Sequence, residues 1–249
     1  VEKLAPLIAE VDFVVTINEP NNVAWFQYIS GDWPPARSGK FLQAFKVFRN
    51  LIKAHKASYH VIKKINPSIR VTTALSGSSN QPLDSDKRLH RWSARLANYI
   101  GNTWYLERVN KYQDVIGLNF YFKNYVKGPR PETDFDNPKQ PLNDLGWYME
   151  PYAVLELMQL VHKKYPGKPM IILENGVADR DDEYREWWIK ETIKAISDGR
   201  AQGINLIGYM HWSLLDNFEW AEGYGPRFGL VHVDYETQER TIKDSGRWF

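Results

Sequence analysis

Short runs of apolar, mostly β-branched residues recur along the chain, separated by longer stretches in which apolar positions return every three or four residues. Val11 to Ile17 is one such run. It closes at Asn18-Glu19-Pro20, where the missing proline N–H ends a strand. Ile69 to Leu75, Asp114 to Phe120, Met170 to Leu173 and Leu206 to Trp212 are nearly continuously apolar, as strands covered on both faces are. Between them, Phe41, Phe45, Phe48, Ile52, Tyr59, Ile62 and Ile65 keep helical spacing until Asn66-Pro67 stops it. Leu155, Met158 and Val161 give a second helical stripe from Tyr152 to Tyr165, opened by Pro151. Trp188, Ile189, Thr192, Ile193 and Ile196 give a third, from about Asp182 to Gly199.

Strand, helix and strand in alternation demand crossover connections, hence a parallel sheet with helices outside it: an α/β architecture. Five strands of this kind are legible, with an extra hairpin-like stretch from Phe228 to Tyr235. A closed (β/α)8 TIM barrel has eight. Two polar connections, Ser76 to Lys87 and Lys123 to Met149, are long enough to read as functional rims. No linker divides the chain, so residues 1–249 are expected to form a single domain.

Composition narrows the function more than the fold. Lys and Arg total 32 against 30 for Asp and Glu, a balance that suggests neither a nucleic-acid nor an anionic-membrane partner. No apolar run reaches the roughly 20 residues that span a bilayer. With no cysteine there is no thiolate nucleophile, disulfide or Cys-ligated metal, which mildly favours a reducing, cytoplasmic setting. The surplus lies in aromatics, 10 Trp and 14 Tyr, part of which is available to face a ligand.

Glu19 and Glu174 each leave a buried strand at its carboxyl end, where parallel α/β folds bind ligands. Taken singly, each has a plainer reading. Glu19 before Pro20 could simply place a charge near a helix start, and Glu174 before the Asn175-Gly176 turn could be half of a structural ion pair. Two carboxylates on one rim, from strands far apart in sequence, are what glycoside hydrolysis requires: one protonated at the leaving oxygen, one ionised below the anomeric carbon.

Thr16-Ile17-Asn18-Glu19-Pro20, Ile172-Leu173-Glu174-Asn175-Gly176 and the stretch Trp212 to Trp220 closely resemble the signatures of glycoside hydrolase family 1, the β-glucosidase and β-galactosidase family. The resemblance implies a retaining β-glycosidase with Glu19 as acid/base and Glu174 as nucleophile, acting on a small β-glycoside or oligosaccharide without cofactor or metal. It implies that Asn18 donates to the sugar 2-hydroxyl, that Tyr121 holds and tunes the nucleophile, and that Asn119 stands on the same strand end. It assigns Trp212, Glu219, Trp220 and Phe228 to the glycone pocket. An acid at position 219 would repel phosphate, so an unphosphorylated glycone is expected. Without the resemblance, the tryptophans read as core packing.

The same resemblance implies that the chain corresponds to strands four to eight of the barrel. The units before them, and the glycone-binding Gln and His-Trp pair they carry, are not in this sequence. A five-stranded sheet would leave apolar edges needing cover, so a fragment, completed by a complementary N-terminal barrel segment, is expected. Two rivals stand beside the enzyme reading. A non-catalytic sugar-binding protein would keep the pocket without turnover. A metal-dependent hydrolase has little support, since His55 and His60 lack His-Glu-x-x-His spacing.

Overall fold

The computed structural model describes residues 1–128, 131–132 and 140–249. The remainder of the expected Lys123 to Met149 rim lies outside the described residues. The strands in chain order are β1 (Phe13–Asn18), β2 (Arg70–Pro82), β3 (Ile116–Val126), β4 (Pro131–Glu132), β5 (Met170–Asn175), β6 (Leu206–Tyr209), β7 (Val231–Val233) and β8 (Arg240–Ile242). The helices are α1 (Ala5–Ile8), α2 (Pro20–Trp25), α3 (Phe41–Ile65), α4 (Arg88–Asn98), α5 (Trp104–Val109), α6 (Val154–Lys164), α7 (Arg185–Ala201) and α8 (Asp244–Trp248). No helix among the described residues is long and apolar enough to cross a membrane.

Five parallel strands run in the order β1-β2-β3-β5-β6, with β4 added antiparallel to β3. Spatial order thus follows chain order, as in consecutive staves of a barrel. Alternation along β3 explains the division of labour across the sheet. Ile116, Leu118 and Phe120 join Leu106, Val109, Leu157, Met158 and Ile172 in the large core between sheet and helices. Asn119 and Tyr121, on the other face, are free for chemistry.

Helix α3 spans the stretch its periodicity predicts, and it buries Ala44, Ile52, His55 and Ile62. His55 donates to or accepts from Thr16 Oγ1 at 2.7 Å, and burial lowers its pKa to about 4. It is a neutral packing residue between α3 and β1.

Both expected rims are partly regular structure. The Ser76 to Lys87 stretch continues β2 to Pro82, and β3 runs on to Val126, with Asn80 opposite Asn124 and Pro82 opposite Val126. Side-chain amides make this possible: Asn98 Nδ2 donates to Asn80 O at 2.7 Å, and Asn102 Nδ2 to Ser78 O at 2.7 Å. These partners come from α4 and the turn after it, a helical region too polar to show in the apolar pattern.

Smaller corrections follow from local chemistry. The last parallel strand stops at Tyr209 rather than Trp212. Helix α7 starts at Arg185, because Asp182 adopts φ 59° and its carboxylate instead pairs with the buried Arg185. Residues 151–153 form a tight 3-10 turn before α6. The hairpin expected within Phe228 to Tyr235 uses β7 as one arm and the later β8 as the other.

Candidate active site

Glu19 sits where β1 passes into α2, with φ 44° and ψ 57°, a left-handed conformation costly for a residue with a side chain. The backbone is held there from both sides. Glu19 N–H donates to Ala74 O at 2.7 Å, and Val23 N–H donates to Glu19 O at 3.0 Å as the first bond of α2. Pro20 suits the first helical position because no partner is needed for its nitrogen.

The Glu19 carboxylate is bracketed by two amides. Asn119 Nδ2 donates to Oε1 at 3.0 Å, and Asn22 Nδ2 donates to Oε2 at 2.8 Å. Asn119 also donates to Asn18 Oδ1 at 3.2 Å, so residues 100 positions apart in sequence share one corner of the sheet.

Glu174 reaches that corner from β5. Leu118 pairs with Ile172 but Asn119 pairs with Glu174, so one extra residue is absorbed between them. This bulge sets Glu174 beside Asn119 on the inner face, a recurrent use of bulges near active sites. Tyr121, two residues beyond Asn119 on the same face, donates its hydroxyl to Glu174 Oε2 at 2.7 Å.

Asn175 anchors the strand end just past Glu174. Fully buried, it donates to Phe120 O at 2.7 Å, and its Oδ1 accepts from Trp188 Nε1 at 2.9 Å and Thr192 Oγ1 at 3.2 Å. Gly176 then passes so close to the segment after β6 that a Cβ would lie 1.8 Å from Trp212 O.

Electrostatics mark Glu174 as the most perturbed carboxyl of the group. Burial raises it to about 7, helped by the charges of Glu19 and Glu219 and opposed by the Tyr121 hydroxyl and the Asn119 amide. Tyr121 is held well above its ordinary value by burial, then by Glu174, Glu19 and Glu219, and therefore stays a neutral donor. Glu219 is raised by burial, with Asn217 and Trp212 donating against the rise. Three acids thus share one region, and their mutual repulsion favours keeping a proton there.

The remaining expected residues fall into two sets. Trp212 and Glu219 are half-buried, and Asn217 Nδ2 donates to Glu219 Oε2 at 3.2 Å. Phe228 is 3% exposed, and its ring meets that of Tyr121 in a T-shaped contact at 6.0 Å. Trp220 is 62% exposed and stacks on Trp33, centroids 4.4 Å apart and planes 19° off parallel.

The sequence reading gave Asp216 and Asn22 no role of their own and took Asn175 for the start of a turn, whereas Asn175 is the buried last residue of β5. Asp216 has a fully buried side chain that meets Lys243 Nζ at 3.1 Å and Arg227 Nη1 at 3.3 Å, and it accepts from Gly229 N–H at 2.9 Å. It ties the loop carrying Glu219 to the C-terminal hairpin. A signal for Asn22 was present: three residues after a helix-capping Glu, it lies one turn on and faces back.

Comparison with known proteins shows what the chain as a whole is similar to. The model of the family described as glycosyl hydrolase family 1 matches residues 4–119 and 106–249. The 1,4-beta-D-glucan glucohydrolase of Thermotoga neapolitana is 30% identical over 275 residues, covering 94% of this chain and 62% of that protein. A 6-phospho-beta-galactosidase of Lacticaseibacillus casei is 25% identical over 315 residues, covering 97% of this chain and 66% of that protein. The beta-glucosidase from Thermotoga maritima in complex with castanospermine superposes with a TM-score of 0.87 at 27% identity, over 98% of this chain and 64% of that one. The chain therefore spans less than two thirds of the length of these relatives.

Proposed function

This chain belongs to glycosyl hydrolase family 1 and has the fold of a partial (β/α)8 barrel, and on that premise we propose that it serves a retaining β-glycosidase. The observation that carries the reading is the meeting of Glu19, Asn119, Tyr121 and Glu174 at one strand-end corner.

In this reading Glu174 attacks the anomeric carbon. The bond to the aglycone oxygen breaks, and that oxygen takes the Glu19 proton as it leaves with the electron pair. A covalent glycosyl ester on Glu174 results. Water then attacks the same carbon, gives its proton to Glu19 and releases Glu174, so two inversions restore the β configuration. Asn18 serves the sugar 2-hydroxyl, and Tyr121 holds the nucleophile oxygen that stays behind. Trp212, Glu219, Trp220 and Phe228 form the glycone pocket.

An unphosphorylated sugar is the proposed glycone. A 6-phosphate brought toward Glu219 and the nearby Glu19 would meet repulsion from acids.

The domain proposal is that residues 1–249 form one part of a barrel that a complementary segment completes. Strands β1 and β6 each have a free edge in the described sheet, and Val15 on β1 and Ile207 on β6 are exposed. Such edges are normally paired or covered.

A 2-deoxy-2-fluoro-β-glucoside with a good leaving group tests the chemistry. Mass spectrometry of peptides is expected to find the fluoro-sugar esterified to Glu174, and NMR of products is expected to show β-sugar released first. Binding of glucose without label or turnover would support the non-catalytic sugar-binding reading instead. Native mass analysis tests completion by a second segment.

A further inference from the structure

The Glu19 carboxylate is not symmetric. Oε1 accepts from Asn119, whose amide also lies close to Glu174, so Oε1 is the oxygen on the side of the second carboxylate. Oε2 accepts from Asn22 at 2.8 Å on the side of Ser76, toward β2. Asn22 is itself fixed. Its second amide hydrogen reaches Ser76 Oγ at 3.1 Å, and the preceding residue, Asn21, donates to Ser76 O at 2.7 Å, which pins the first turn of α2 to β2.

An oxygen that faces an amide donor cannot also carry a hydrogen in that direction without setting two hydrogens against each other. We propose that Asn22 is a positioning residue that reserves Oε2 of Glu19 as an acceptor and so directs the transferable proton to Oε1. Asn119 can yield Oε1 during that transfer, because its amide lies against Glu174 as well as Asn18 Oδ1 and can turn toward the second carboxylate, whereas the Asn22 amide is turned to Oε2 and to Ser76 Oγ on the side away from it. After the proton has left with the aglycone, Asn22 donates to a full carboxylate, which is the stronger form of the bond. When water attacks, its proton returns to Oε1 and Oε2 stays bonded throughout.

The inference rests on the retaining-glycosidase reading above, and its test separates the two. Asn22→Ala and Asn22→Leu remove the donor, the second keeping the same branched heavy-atom skeleton. kcat/KM is measured for aryl β-glucosides graded from dinitrophenol to unsubstituted phenol as leaving group, alongside Tm. General acid catalysis contributes on the order of 100-fold or more. Both variants are expected to lose roughly tenfold or more with phenol while staying within about twofold of the parent with dinitrophenol. KM and Tm are expected to stay nearly constant. Equal losses across the series with a lowered Tm would show a merely structural Asn22 and overturn the inference alone. An unchanged series would do the same. No turnover of any glucoside by the unsubstituted chain within the barrel completed by its complementary segment would overturn both readings.

Discussion

The Tyr121 hydroxyl donates to Glu174 Oε2 at 2.7 Å, and it opposes the burial that raises this carboxyl to about 7. Tyr121→Phe removes the donor and leaves the burial. A bond to the charged form lowers a carboxyl pKa, so its loss raises the pKa further. The acid limb of kcat/KM against pH is expected to move up by about one unit, with activity at pH 6 falling more than at pH 8. A pH–rate profile of the variant that overlays the parent's would remove Tyr121 from this role.

Glu174 also makes stability depend on pH. Its folded pKa, about 7, lies above the ordinary 4.5, so between these values the folded state holds more protons than the unfolded one. Its favourable contribution is complete below about pH 4.5 and is lost as pH rises through about 7. At about 1.4 kcal/mol per unit the loss is on the order of 3 kcal/mol at most, because Glu174 is only half-buried. Glu174→Gln is therefore expected to unfold at nearly the parental temperature at pH 4 and several degrees higher at pH 8, by thermal melts at the two values.

Replacing each carboxylate separates its role. Glu174→Ala is expected to abolish release of an aryl β-glucoside, and azide is not expected to restore it with retained configuration. Glu19→Ala should spare the first step for good leaving groups and slow hydrolysis of the ester, which azide accelerates while giving a β-glycosyl azide. Wild-type rates on disaccharides for Glu19→Ala would defeat its assignment.

Asp216→Ala removes the anion shared by Lys243 and Arg227 and leaves the half-buried Lys243 without it. Breaking a buried pair from one side costs about 3–5 kcal/mol. Urea unfolding should show a loss of that order, and a change under 1 kcal/mol would mean that the contacts are dispensable.

Gly176→Ala forces a Cβ against Trp212 O, a backbone atom that cannot swing aside. The strand end carrying Glu174 or the one carrying Trp212 must shift. Activity should fall by well over tenfold, since small misplacements of reacting groups are costly; near-parental kinetics would contradict the tight passage.

The five parallel strands were legible because each is a nearly continuous apolar run, and α3 because its stripe persists for 25 residues. The extensions of β2 and β3 were not, because their stability comes from Asn98 and Asn102 on distant helical turns, and polar alternation in Ser76 to Lys87 looks the same with or without such partners. Helix α4 was missed for a related reason: His90, Ser93 and Ala94 are its buried residues, and none signals an apolar face. At the site, Glu19 and Glu174 were visible as acids ending apolar strands. Their convergence depends on the bulge opposite Asn119, which no local pattern announces.

The stacked pair of Trp33 and Trp220 has a mechanical meaning. Trp33 belongs to the connection leaving β1 and Trp220 to the loop leaving β6, so the outermost staves in sheet order touch at the rim although no backbone ladder joins them. A single aromatic contact is a weak latch, of about 1 kcal/mol. One indole that is exposed enough to meet a sugar therefore also bridges the two ends of the arc, so a ligand that draws Trp220 off Trp33 gives up that bridge.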